Sequence, residues 1–323
     1  PTRLIDVGSN DSPELRLRDG NQCSGHYVTL SYCWGKKIHN RTTKSTLHAS
    51  MAGLDISTLC KTIQDAVIVT RNLQLKYLWI DALCIIQDDP EDWEREAMSM
   101  SEVYAQSAIT IAATSSADSH GGLFFPRSAG PTAQLLWSIS ERCPPERVSF
   151  RSHTPVRYVS LVEKGPLNQR GWVLQERTLS KRIVHYTTDR LYWDCQQSTS
   201  EEGFTEVVNY PDRLPAHRFK LASIHGKTKT SEEMHWLDNS WRSLVERYTQ
   251  TQLTYKSDRL PALAGLAKTW AKVSGDRYIA GCWMKNLPLS LLWTTDLRTE
   301  STELLQRPSW SWVSFDGPVR FRS

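Results

Sequence analysis

Between Lys76 and Ala113 the chain runs through an apolar stretch, an acidic loop, an amphipathic stretch and a second apolar stretch. Residues 77–80 (YLWI) are short, aromatic and β-branched and stop at Asp81, which predicts a buried strand. Asp89 suits a helix N-cap, Pro90 the first helical position, and Glu91 and Asp92 the positive end of the dipole. At about 100° per residue, Trp93, Ala97, Met100 and Tyr104 form one stripe, the face expected to pack on a sheet. Glu94 and Glu102 point away from it, whereas Glu96 falls beside Met100 and Val103 at its edge.

The flanking segments extend this pattern. Residues 26–32 (HYVTLSY) alternate and predict the first strand of the sheet, ending in Cys33, Trp34 and Gly35. The 25 residues before it are polar and are expected to hold only one short strand, near Leu15. A helix starting at Ser57, with Leu59, Ile63, Ala66, Val67, Thr70 and Leu73 at helical spacing, crosses to the strand at residue 77. Two strand–helix–strand units in succession predict three parallel strands, half of a doubly wound α/β sheet with helices on both faces.

After Thr114 the periodicity changes. Strand-like runs occupy 135–139, 148–150 and 156–162, and a hairpin is expected between 182–186 and 190–195 across Thr187, Thr188 and Asp189. Residues 201–233 are polar and read as a loop. Helices are predicted at 241–248, 256–273 and 280–293, the last interrupted by Pro288, with a final strand in PSWSWVSFDG at 308–317. This divides the chain into an α/β core, 1–130, and an α+β extension, 131–323, whose portion beyond about 195 is mainly helical. Nothing repeats at a fixed period, which argues against a solenoid.

Composition narrows the class of function. The 39 basic and 35 acidic residues leave a net charge of +4 with no basic block to follow a phosphate backbone, so nucleic acid is not an expected partner. No apolar run approaches the roughly 20 residues of a membrane span, and no secretory leader is expected at the start. Seven cysteines are scattered singly without a zinc spacing, which predicts neither a disulfide framework nor a metal site and favours a reducing cytoplasm. Thirteen tryptophans, many beside Gly, Pro or Ser, indicate an aromatic-rich core.

Several polar positions admit two readings. Glu96, at the margin of a buried face, either meets an Arg or a backbone N–H, or lines a pocket at the carboxyl end of the preceding strand, where open α/β sheets bind ligands. Asp81 either caps its loop, or holds a ribose hydroxyl or helps to position Glu96. Cys84 is a small buried hydrophobe or a nucleophile with His26 or His185 as base. Gln87 and Asp88 shape the turn into the helix or touch ligand. Arg170, Trp172, Glu176 and Arg177 form a second polar-aromatic group, in which an internal Glu176–Arg177 pair would hold the extension to the sheet.

Three blocks, SYCWG at 31–35, YLWIDALCIIQDDPEDWEREAMSMSEVY at 77–104 and RGWVLQERTLSKRIVHY at 170–186, resemble those of the HET domain, the heterokaryon incompatibility domain of filamentous fungi. YWDC at 192–195, LTYKSDRLPALAGLA at 253–267 and PSWSWVSFDG at 308–317 resemble the extension common in such proteins, so the likeness covers nearly the whole chain. It implies a role in non-self recognition, in which activation triggers death of fused cells. The family is further comparable with TIR domains, whose parallel sheet is flavodoxin-like and which cleave NAD at the nicotinamide–ribose bond with a helical glutamate near a Trp. By that resemblance Glu96 with Trp93 matches the Trp-x-x-Glu arrangement, and Ser31, Trp34 and Gly35 match the loop bordering the nucleotide.

The implied reaction is hydrolysis of NAD or a related nucleotide, with Glu96 as catalytic carboxylate and Ser31, Trp34, Gly35, Asp81, Cys84 and Trp93 around the substrate. NAD enters as substrate rather than cofactor. A positively charged nicotinamide departs neutral, so one carboxylate that stabilises an oxocarbenium-like transition state suffices. The resemblance also implies homo-oligomer formation on activation and an upstream recognition protein. A non-catalytic death adaptor acting by self-association and a repurposed small-molecule enzyme are the alternatives.

Overall fold

A computed structural model describes residues 1–9, 13–36, 40–127, 132–138, 146–151, 158–203, 230–295 and 307–322. The chain opens with β1 (Arg3–Asp6), β2 (Arg16–Asp19) and β3 (Tyr27–Ser31). Helices α1 (Leu47–Ala52) and α2 (Lys61–Asn72) lead to β4 (Tyr77–Trp79), and α3 (Asp81–Cys84) and α4 (Pro90–Gln106) lead to β5 (Ile109–Ala112). A separate hairpin, β6 (Thr132–Trp137) and β7 (Glu146–Arg151), precedes α5 (Gly171–Leu179), which delivers the chain to β8 (Arg182–Tyr186), β9 (Leu191–Cys195) and β10 (Thr199–Glu201). Helices α6 (Ser231–Tyr248) and α7 (Pro261–Ser274) dominate the C-terminal part.

The eight-stranded sheet has the order β10-β9-β8-β5-β3-β4-β1-β2. Its four central strands, β8, β5, β3 and β4, are parallel, and the outer pairs on both sides are antiparallel. The fold is therefore α/β, with a flavodoxin-like order in the parallel core. Every residue of β3, β4 and β5 is buried, as a parallel sheet covered on both faces requires. On one face the odd-numbered residues of β3 carry hydroxyls, each with a partner. The Tyr27 hydroxyl donates to the Val103 carbonyl of α4 at 2.7 Å, Thr29 shares a hydrogen bond with Thr110 of β5 at 2.7 Å, and the Ser31 hydroxyl donates to Glu176 of α5 at 2.5 Å.

A buried ionic network ties α5 to the antiparallel side of the sheet. One Arg177 nitrogen donates to the Tyr158 hydroxyl at 2.7 Å and to Glu163 at 2.9 Å, and lies 3.4 Å from Asp194 of β9. Asp194 also accepts from Tyr158 at 2.6 Å and is 3.2 Å from His185, and Arg247 of α6 pairs with Glu163. Arg177 and Arg247 hold Glu163 down to about 2 against the effect of burial. Buried charges of this kind persist only when paired.

Several elements differ from expectation. Residues 1–25 contribute two strands, β1 and β2, that extend the sheet beyond β4; Leu4, Ile5, Leu15 and Leu17 are buried, a pattern obscured by the short length of each run. The strand expected at 156–162 is helical where described, with a π-turn at Val159–Glu163 that brings Glu163 to Arg177. The helix expected at 280–293 is instead a small ladder, Tyr278–Ile279 against Cys282–Trp283, reversing through Ala280 (φ 44°) and Gly281 (φ 92°), followed by one turn at Leu287–Ser290. The final strand is Arg320–Phe321; Trp312–Ser314 form a 3-10 turn capped by the Ser311 side chain. Most of the polar loop expected at 201–233 lies outside the described residues.

Helices α4, α5 and α7 meet at Gly265. A Cβ added there would lie 2.2 Å from the Ser101 Cβ and 2.7 Å from the Gln175 Oε1, which accepts the Gly265 N–H at 2.9 Å. Gly265→Ala is expected to cost about 1–3 kcal/mol, as overpacking does. The check is thermal and denaturant unfolding beside Gly53→Ala, a position with nothing within 4 Å, where a change under about 0.5 kcal/mol is expected.

Candidate active site

A cleft of about 820 Å³ opens at the carboxyl ends of the parallel strands. Cys33, Trp34, Gly35 and Lys36 follow β3, Asp81 and Gln87 follow β4, and Ala117 follows β5; Arg170, Trp172 and Glu176 of the α5 region close the opposite side. This is where the chain order around β3 reverses direction in the sheet, the place at which open α/β folds bind ligands. Gly35 sits at φ +79°, and a Cβ there would come 2.7 Å from that of Asp118. Both the backbone conformation and the close approach call for glycine.

Two carboxyl groups reach the cleft floor. The Asp81 oxygens each lie 3.0 Å from the donating indole N–H of Trp34, and one also accepts the Ala82 N–H at 2.7 Å. Burial raises the Asp81 carboxyl above the usual range, with Arg170 opposing. Glu176 accepts from Ser31; burial pushes it up to about 7, Ser31 opposes that rise, and the neighbouring Asp81 adds to it. Arg170 is anchored to the Tyr32 carbonyl. Among the described residues none of the ion pairs involves Lys36, Arg41 or Arg170, which all line the cleft. Trp34, Trp93 and Trp172 supply aromatic walls.

Of the residues singled out in the sequence, Trp34, Gly35, Asp81 and Trp93 line this cleft, and Ser31 reaches it through Glu176. Trp93 is 37% exposed, on the cleft side of α4 rather than against the sheet. Glu96 is 0% exposed and is not on the cleft; Arg3 and Arg95 are each 3.8 Å from its carboxyl, whose oxygens accept no hydrogen bond among the described residues. The helix phase explains the difference: Glu96 lies within the buried face shared by Asp92, Met100 and Val103, not at its edge. Cys84 is also fully buried, its thiol pushed up to about 12 by burial, and it does not line the cleft.

Glu176 was expected to pair with Arg177, but successive helix residues diverge by about 100°, so Glu176 faces β3 while Arg177 faces β9. The signal available was the polar run Gln175-Glu176-Arg177-Thr178 inside a nine-residue helix, all four of its members buried. Asp258, which accepts from Trp172 at 3.1 Å, carried no signal in the sequence. Thr114, His185 and Asp194 are hydrogen-bonded in series, at 2.9 and 3.2 Å, but all are buried and the cavity beside His185 holds about 10 Å³, at the limit for one water. Among the described residues no group of His, Cys, Asp or Glu is arranged to hold a metal ion, and no helix is long and apolar enough to cross a membrane.

Residues 27–176 match the family model described as Heterokaryon incompatibility protein (HET). No curated protein and no solved structure matches the chain.

Glu176 holds its proton more tightly in the fold than in the unfolded chain, where a glutamate titrates near 4.5. Its contribution to stability is fully present below about 4.5 and is lost as pH rises through about 7, of order 3 kcal/mol in total. Melting temperature is expected to fall over that interval, and Glu176→Gln to flatten the fall. Parallel melting curves across pH 4.5–8 that coincide in slope for both proteins would contradict the assignment.

Proposed function

The chain is a heterokaryon incompatibility (HET) domain protein, and we propose that it acts in heterokaryon incompatibility as a cell-death effector hydrolysing NAD or a related nucleotide at the N-glycosidic bond. The observation that carries this reading is the placing of two carboxyl groups, Asp81 and Glu176, on one cleft with tryptophan walls and cations outside any described ion pair. The role that the resemblance gives to Glu96 passes to this pair, because Glu96 does not reach the cleft.

In the proposed reaction the C1′–N bond breaks with its electron pair passing to the nicotinamide ring, which leaves neutral. The Asp81 carboxyl, held by the Trp34 N–H, stabilises positive charge developing on the ribose. Water adds its oxygen to C1′ and gives up one proton, leaving nicotinamide, ADP-ribose and a proton. Glu176, whose carboxyl burial pushes up to about 7, holds a ribose hydroxyl or takes that proton. Lys36, Arg41 and Arg170 neutralise the phosphates.

A second reading, a non-catalytic adaptor that self-associates, draws on the β6–β7 hairpin, where Leu135, Leu136 and Trp137 are 55%, 70% and 59% exposed. Exposed apolar runs of this kind mark association surfaces.

Purified protein is expected to release nicotinamide from NAD, with Asp81→Asn and Glu176→Gln each lowering kcat/KM by about 10²–10³-fold. Glu96→Gln is expected to leave turnover per folded molecule unchanged. Wild-type protein that consumes no member of a nucleotide panel, or full activity in both cleft variants, would remove the enzymatic reading.

A further inference from the structure

The far rim of the cleft is built by residues 252–258, beyond the family match at 27–176. This strap is fixed at both ends. Gln252 donates its N–H to the Gln169 carbonyl at 2.7 Å and accepts from the Gly171 N–H at 2.9 Å. At the other end the Tyr248 hydroxyl donates to the Arg259 carbonyl at 2.8 Å, and the Arg259 guanidinium lies over the Trp312 ring at 5.4 Å. Its backbone therefore presents side chains to the cleft from a held position, without an ordering cost on binding.

Two of those side chains line the cleft with capacity to spare for a ligand. Tyr255 is 68% exposed at the rim, a large aromatic face with nothing in the core to pack on. Asp258 accepts from the Trp172 N–H on one oxygen at 3.1 Å and from the Ser257 hydroxyl on the other at 3.4 Å, yet the cations near it in sequence, Lys256 and Arg259, pair with Asp316 instead. None of the ion pairs among the described residues involves Asp258. The lining of the cleft combines the half-buried Asp81 and buried Glu176 carboxyls, cations at Arg170, Arg41 and Lys36, and an exposed aromatic with a carboxylate at Tyr255 and Asp258.

We propose that the C-terminal extension forms a second nucleoside subsite, in which Tyr255 stacks on a base and Asp258 binds the vicinal hydroxyls of its ribose, so that the cleft takes a dinucleotide. This rests on reading the cleft as a nucleotide site. A pyrophosphate on the cations joins the nucleoside on the floor to the one at the rim. A carboxylate accepts two hydroxyl hydrogen bonds well and repels a phosphate, so the rim prefers a free ribose diol to its 2′-phosphate.

The test is equilibrium binding of NAD, NADP and nicotinamide mononucleotide to the full chain, followed by calorimetry, with nicotinamide release measured alongside. Tyr255→Ala is expected to weaken NAD about tenfold or more and leave the mononucleotide unchanged, with Tyr255→Phe retaining wild-type affinity. Asp258→Asn is expected to narrow the preference for NAD over NADP. The Tyr255 variants should keep the wild-type melting temperature, since Tyr255 is exposed. Equal losses for NAD and the mononucleotide, or no loss for either, overturn the subsite. Absence of binding by all three to the wild type overturns both the subsite and the nucleotide reading. NAD binding that Tyr255→Ala weakens, without nicotinamide release, supports the subsite and sinks only the hydrolysis.

Discussion

The Ser31 hydroxyl donates to Glu176 at 2.5 Å inside the protein, joining the end of the central strand to the middle of α5. It is the last rung of a polar seam in which Tyr27, Thr29 and Ser31 each meet a specific partner on α4, β5 or α5. Buried polar groups are costly when unpaired, and a one-residue slip of β3 would present Val28 and Leu30 to these partners. The seam therefore fixes strand register and, at the same time, the floor of the cleft. Position along β3 and position of the candidate carboxyl group are one constraint.

Helix α5 distributes that constraint in two directions. Glu176 faces the parallel core and its cleft, while Arg177 gathers Tyr158, Glu163 and Asp194, and through Glu163 the α6 residue Arg247. The close contact at Gly265 seats α7 against α4 and α5 from outside. A second, apolar groove of about 1110 Å³ runs between α4 and α7 and meets the cleft at Gln87, Trp93 and Ala97. Trp93 thus stands between a polar and an apolar space, which accounts for a tryptophan left partly in water.

The sequence made the core legible because its signals were local and repeated: a capped amphipathic helix from Asp89 onward between two apolar runs, preceded by a similar unit. Asp89 does accept the Glu91 N–H, and Pro90 opens the helix. What failed were short elements decided by tertiary contacts. β1 and β2 are four residues each, and Ala280 and Gly281 reverse the chain inside what reads as a helix. The candidate cleft was legible as a neighbourhood, through Trp34, Gly35, Asp81 and Trp93, which line it; the position of Glu96 away from it was not. Periodicity says that Glu96 and Met100 share a side; it does not say that this side is closed by Arg3 from a strand some 90 residues away in sequence.

The two outermost strands bear on how copies of the protein can meet. β2 carries Arg16 and Arg18 along its length, and β10 is only three residues long. Both are poor templates for hydrogen-bonded continuation of the sheet into another molecule. Fibre-like growth of the eight-stranded sheet by backbone templating is thereby disfavoured at either flank.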